Sequence, residues 1–211
     1  MSEIVSLIGC GSGKKEYMTQ AALAALSDSN VIIGAARLIS EEWMSEYGAE
    51  RITETSSQRI AELIEAKPDK RISVVFSGDT GLYSGATPLG RLLKDKGIEY
   101  RIIPGLSSVQ LFAAAYGIPW QDMRIVSAHG RQIDIAELYR SGDDLLILTD
   151  NENTPDALCK DLVNIGSKDA SVAVGEDLGT DDQKITRGTA EEISYMTFST
   201  LSVLYVENGD I

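Results

Sequence analysis

Short β-branched runs closing on glycine, separated by segments of helical spacing, constrain this chain more than any other feature of its sequence. Ile4 to Ile8 reads as a strand ending at Gly9, with a helix over Thr19 to Leu26 after it. Val31 to Gly34 reads as a second strand, Ile60 to Glu65 as a helix, and Ile72 to Ser77 as a third strand. Ala86 to Lys96 places Leu89, Leu92 and Leu93 on one helical face and stops at Gly97. Tyr100 to Ile103 and Val109 to Tyr116 repeat the alternation across Pro104-Gly105. Strands separated by helices favour a parallel sheet covered on both faces.

The pattern breaks at Gly117-Ile118-Pro119-Trp120, which predicts one domain over residues 1–120 and a second over 121–211. The second half offers a strand at Ile125 to Ser127, a helix near Ile135 to Tyr139 and a strand at Leu145 to Leu148. Thr154-Pro155 then has the form of an N-cap followed by the proline favoured in a first helical turn. Ser171 to Val174, Lys184 to Thr186 and Ser202 to Val206 read as strands joined by short loops and one helix near Ala190 to Tyr195, the texture of a mixed sheet. The expected class is α/β, with two α/β domains, the N-terminal one mainly parallel and the C-terminal one mixed.

A formal charge of −13 disfavours a nucleic-acid partner, because phosphate binding needs Lys and Arg to displace counterions. Lys14-Lys15 and Lys67 to Arg71 are the short basic clusters, and both read as solvated loops. Cys10 and Cys159 are the only cysteines and form no zinc-ligand spacing, so a reducing, cytoplasmic setting and no metal are expected. Neither a secretory segment nor an apolar run of about 18 residues is evident, so no membrane partner is expected.

Three glycine-bearing turns follow predicted strands: Gly9-Cys10-Gly11-Ser12-Gly13, Gly78-Asp79-Thr80-Gly81-Leu82-Tyr83 and Pro104-Gly105-Leu106-Ser107-Ser108. In open α/β sheets, ligands bind beyond the carboxyl ends of the strands, where turns without side chains let backbone amides approach them. The first turn is not the dinucleotide fingerprint, whose third glycine stands three positions after the second. It is a ligand loop or a plain strand-to-loop turn. Asp79 can accept hydrogen bonds from a ligand ammonium, hydroxyl or amide, or form an Asx turn. Ser107 and Ser108 can cap the following helix or hold a polar ligand atom at its start.

The order Gly-x-Gly-x-Gly, Ser-Gly-Asp-x-Gly-x-Tyr, Ile-Pro-Gly-x-Ser-Ser and Ser-x-His-Gly-Arg resembles the tetrapyrrole (corrin/porphyrin) methylases over essentially the whole chain. Ser127-Ala128-His129-Gly130-Arg131, preceded by Gly117-Ile118-Pro119-Trp120-Gln121-Asp122, is most similar to the branch that methylates C5 of precorrin-7 or its cobalt form in cobalamin synthesis. Gly175 to Thr180 resembles a second-domain loop of that branch. The resemblance implies a homodimer that binds S-adenosylmethionine between its two domains and methylates a corrin-ring carbon, with a separate enzyme for C15 methylation and decarboxylation.

By motif, the resemblance assigns the cofactor to Gly9, Gly11, Gly13, Asp79, Leu82, Ser107 and Ser108, with Thr149 after the Leu145 to Leu148 strand. Arg131 and Tyr83 are the candidate substrate contacts. Arg131 has the fork geometry for acetate and propionate arms. His129, the sole histidine, can take the proton released from the methylated carbon, hold a substrate carboxylate, or satisfy backbone groups of its own turn. The family often carries proline where this chain has Ser12 and Thr80, which bears on loop rigidity. Uroporphyrinogen, diphthine or ribosomal RNA methylation, and a non-catalytic nucleotide-sensing module, are the alternatives.

Overall fold

A computed structural model describes residues 5–40 and 45–208, so Ile4 of the expected first strand lies outside the described residues. The chain divides into two compact units, Met1–Ser107 and Ser108–Ile211. The division falls one helix earlier than the expected break after residue 120, for a packing reason given below.

The first unit runs β1 (Val5–Gly9), α1 (Gln20–Ser27), β2 (Val31–Gly34), β3 (Glu50–Thr53), α2 (Ser57–Glu65), β4 (Ile72–Phe76), α3 (Ala86–Asp95) and β5 (Tyr100–Ile103). Its sheet has the order β3-β2-β4-β1-β5, and every pairing is parallel. Successive strand side chains point to opposite faces, and a parallel sheet buried on both faces therefore needs apolar residues at nearly every position. Leu7, Ile33 and Val74 pack on one face with Ile60 and Ile64 of α2 and Leu89 and Leu93 of α3. Ile8, Ile32 and Val75 pack on the other with Ala22, Ala25 and Leu26 of α1. Each aliphatic side chain buried in this way contributes about 1.5–3 kcal/mol.

Local signals set the helix ends. The Thr19 hydroxyl accepts from Ala22 N at 3.1 Å and the Ser56 hydroxyl from Arg59 N at 3.5 Å, satisfying donors that a helix start leaves open. The periodicity predicts no strand between Val31–Gly34 and α2, yet β3 lies there. Three of its four residues, Glu50, Arg51 and Thr53, are exposed at a sheet edge, so no apolar pattern marks it.

The second unit runs α4 (Ser108–Tyr116), β6 (Arg124–Ser127), α5 (Ile135–Arg140), β7 (Leu145–Leu148), α6 (Pro155–Asn164), β8 (Ser171–Glu176), β9 (Lys184–Thr189), α7 (Ala190–Ile193) and β10 (Ser202–Val206). Its sheet has the order β6-β7-β10-β8-β9, with β6 and β7 parallel and the other pairings antiparallel. One face carries Leu145, Ile147, Val172, Val174, Leu204 and Val206 against Leu158 and Leu162 of α6. On the helix α4, Phe112 lies 5.8 Å from the Tyr205 ring and 5.2 Å from Tyr116. A Cβ on Gly175 would stand 2.7 Å from Cδ2 of Phe112, so the ring occupies room that only glycine leaves. These contacts assign α4 to the second unit, although the turn signal at Gly117 follows it in sequence.

Candidate functional site

In the first sheet β1 and β4 are neighbours, but their chains leave in different directions. β1 passes to α1 on one face, whereas β4 passes to α3 on the other. Loops that part in this way open a crevice at the carboxyl ends, the usual ligand position of such sheets. The three glycine turns of the sequence meet there.

The meeting is backbone on backbone. A Cβ on Gly9 would lie 2.6 Å from Gly105 N and 2.7 Å from Gly78 O, and one on Gly105 would lie 2.5 Å from the carbonyl of Gly9. Real Cβ atoms do not approach so closely, so neither turn can carry a side chain at these positions. Gly11 and Gly78 form an isolated antiparallel bridge, with Gly11 N donating to Gly78 O at 3.2 Å and Gly78 N to Gly11 O at 2.8 Å. Both residues have positive φ, +59° and +67°, which glycine adopts without the clash a Cβ would bring. The glycines thus let the loops close on one another before any ligand is considered.

Asp79 joins the second and third turns. Its Oδ1 accepts from Gly81 N at 2.8 Å and its Oδ2 from Gly105 N at 3.1 Å. A carboxylate has about four acceptor positions, so these two bonds leave capacity for a ligand donor. Thr80, where the family often has proline, is buried, and its hydroxyl reaches the Ile103 carbonyl at 3.5 Å. That contact links the turn to the end of β5. Leu82 is half-buried, and Tyr83 is exposed with φ at +48°. A bulky residue in that region carries backbone strain of the kind found at ligand sites. Ser107 is buried and Ser108 is half-buried at the first position of α4. Gly13, with φ at +99°, completes the first turn against Leu38.

The remaining sequence-derived candidates lie in the second unit. His129 and Arg131 are exposed on the turn after β6. His129 N donates to the Ser127 hydroxyl at 3.3 Å, and Arg131 N to Ala128 O at 3.0 Å. Thr149 is buried, and its hydroxyl donates to the Ser202 carbonyl at 2.6 Å while lying 3.0 Å from the Ser202 hydroxyl. Its hydrogen is committed across the β7–β10 pairing, which gives Thr149 a structural task inside the sheet.

Two residues escaped the sequence reading. Asp150 accepts from Gly130 N at 2.8 Å and from Asn153 N at 2.7 Å, and Asn153 Nδ2 reaches the Ala128 and Arg131 carbonyls, each at 3.2 Å. Backbone amides, first that of Asn153 and then that of Gly130, hold the Asp150 carboxyl well below the usual carboxylate range. No spacing rule connects these residues to the His129 turn. The one available signal is that an aspartate follows a buried strand, the same signal that marks Asp79.

Burial raises both thiols, Cys10 and Cys159, to about 12. Among the described residues, no group of three or more His, Cys, Asp or Glu could hold a metal ion, and no helix is long and apolar enough to cross a membrane.

Against known proteins, the model of the family described as Tetrapyrrole (Corrin/Porphyrin) Methylases matches residues 5–194. The cobalt-precorrin-7 C(5)-methyltransferase of Salmonella typhimurium (strain LT2) is 32% identical over 184 residues, covering 86% of this chain and 89% of that protein. A solved cobalamin biosynthetic enzyme, cobalt precorrin-4 methyltransferase, superposes with a TM-score of 0.82 at 20% identity, over 97% of this chain and 95% of its own. A uroporphyrin-III C-methyltransferase from Thermus thermophilus, complexed with S-adenyl homocysteine, gives a TM-score of 0.75 at 18% identity over 97% and 92% of the two chains. Likeness at those identities establishes the fold.

Proposed function

The chain belongs to the tetrapyrrole (corrin/porphyrin) methylases, and on that premise we propose that it moves a methyl group from S-adenosylmethionine to C5 of a corrin precursor, precorrin-7 or its cobalt form. It is a methyltransferase of cobalamin biosynthesis that uses S-adenosylmethionine. The C5 position is supported by the 32% identical relative and by the Ser127 to Arg131 segment. The observation that carries the reading is the convergence of Gly9, Gly78 and Gly105 at the carboxyl ends of β1, β4 and β5.

Bound S-adenosylmethionine supplies a methyl group already activated by its sulfonium. What the protein adds is position: the accepting carbon must stand in line with that methyl at roughly 3–3.5 Å, with water excluded. The residues present fit a cofactor of this kind. Gly9, Gly11 and Gly13 offer backbone with no side chain in the way, and Asp79 retains acceptor positions for ammonium or hydroxyl donors. Ser107 and Ser108 supply hydroxyls at the start of α4, and Leu82 an apolar wall. Arg131 holds a substrate carboxylate through its two-pronged guanidinium, with Tyr83 as a second substrate contact. An imidazole nitrogen of His129 takes the proton that leaves the methylated carbon, or steadies a carboxylate arm. With a chain charge of −13, Arg131 is the local attraction a polycarboxylate substrate needs. We also propose a homodimer in the cytoplasm, working beside a separate enzyme for C15 methylation and decarboxylation.

Calorimetry with S-adenosylmethionine and with NAD tests the cofactor, the first expected to bind and the second not. Mass spectrometry and NMR of the product from a mixture of corrin intermediates test the rest, with C5 methylation expected. Methylation at C11 alone would overturn the assignment, and binding without turnover would favour a sensor.

A further inference from the structure

The turn that presents His129 and Arg131 is braced from outside itself. On one side, Asp150 Oδ2 accepts from Gly130 N at 2.8 Å. On the other, Asn153 Nδ2 lies 3.2 Å from the Ala128 carbonyl, 3.2 Å from the Arg131 carbonyl and 3.1 Å from Asp150 Oδ1. The same Oδ1 accepts from Glu152 N at 3.0 Å and Asn153 N at 2.7 Å, which fixes the aspartate against its own loop. Both carbonyls that flank His129 and Gly130, and the amide between them, are therefore tied to the segment after β7. Gly130 has φ at +64°, so the turn is tight and its direction follows from these bonds.

We propose that Asp150 and Asn153 are positioning residues for substrate recognition. They set the direction in which His129 and Arg131 project, and so govern the affinity for the carboxylate-bearing macrocycle without touching it. S-adenosylmethionine affinity, carried by the glycine turns of the first unit, is independent of them. The inference rests on the reading that His129 and Arg131 meet the substrate.

The test uses full-length Asn153→Ala and Asn153→Leu, the second keeping side-chain size while removing the N–H donor and adding no charge beside Asp150. KM and kcat with the corrin substrate are measured beside calorimetry with S-adenosylmethionine and amide exchange at Gly130, with Arg131→Ala as reference. Both variants are expected to raise KM about tenfold, the scale of losing the two hydrogen bonds from Asn153 to the turn, with cofactor affinity unchanged and Gly130 exchange faster. Unchanged KM in both variants, when Arg131→Ala does raise KM, overturns the positioning role and leaves the substrate reading standing. Loss of cofactor affinity together with substrate affinity also overturns it, by showing a general structural defect. Unchanged KM in Arg131→Ala and in His129→Ala instead removes the reading on which the inference depends.

Discussion

The two units organise the loops at their strand ends by different means. In the first, Gly9, Gly78 and Gly105 bring three turns together through backbone, with one carboxylate, that of Asp79, across two of them. In the second, side chains brace the loops: Asp150 and Asn153 hold the His129 turn, while Glu176 and Asp177 accept from Ser199 N at 2.9 Å and the Ser199 hydroxyl at 3.1 Å. Contact made by backbone leaves an open surface for a ligand but no tolerance for added atoms. Bracing made by side chains admits substitution, and each loss removes a definable number of hydrogen bonds.

Four substitutions would break or sharpen that contrast. The largest effect is expected from Phe112→Ala, which leaves a void between Gly175, Tyr116 and Tyr205 and should lower stability by about 3–5 kcal/mol in denaturant titration. Next is Gly105→Ala, whose Cβ meets the Gly9 carbonyl at 2.5 Å. About 1–3 kcal/mol of destabilisation should come with loss of S-adenosylmethionine binding by calorimetry. Gly130→Ala is its counterpart in the second unit: no atom lies within 4 Å of its Cβ, so only the positive φ resists, at about 1–2 kcal/mol, and cofactor affinity should hold. Equal loss of cofactor affinity in both glycine variants would erase the distinction. Thr154→Ala removes the cap that accepts from Ala157 N at 3.4 Å and should cost about 1 kcal/mol, read as a shift in Tm.

The smallest effect is electrostatic. The Asp150 carboxyl titrates below its ordinary value because backbone amides of Asn153 and Gly130 stabilise the ionised form. A depressed folded value means stability that is present above the unfolded value of about 3.9 and is lost as pH falls below it. The difference in denaturation midpoint between the parent and Asp150→Asn should therefore be constant from neutral pH to about pH 5 and shrink towards pH 3. A difference that grows on acidification would contradict the sign.

What the sequence made legible was local. The alternation of strands and helices, the Thr154-Pro155 helix start and the glycine turns all rest on neighbours within a few positions. The polar edge strand β3 was not legible, since three of its four residues face outward. Helix α4 was assigned by its following turn to the first domain, while its actual partners, Gly175 and Tyr205, lie far along the chain. Likewise, the bond from the Thr149 hydroxyl to the Ser202 carbonyl joins residues far apart in the chain and could be read only from the fold. Asp79 was legible as a candidate ligand position, but its bond to Gly105 N required the fold. Pairings of this kind leave no periodic trace, because they depend on which strands become neighbours.

The crossing of peptide units at Gly9 and Gly105 inverts the logic of an alanine scan. Truncation scanning infers importance from what a residue loses, yet at these sites every available replacement is an intrusion, and a severe phenotype would reveal nothing about a departed functional group. The informative chemical edit is in the main chain: an ester in place of the amide at Gly105 deletes the donor to Asp79 while adding no bulk, and would separate the bond from the fit.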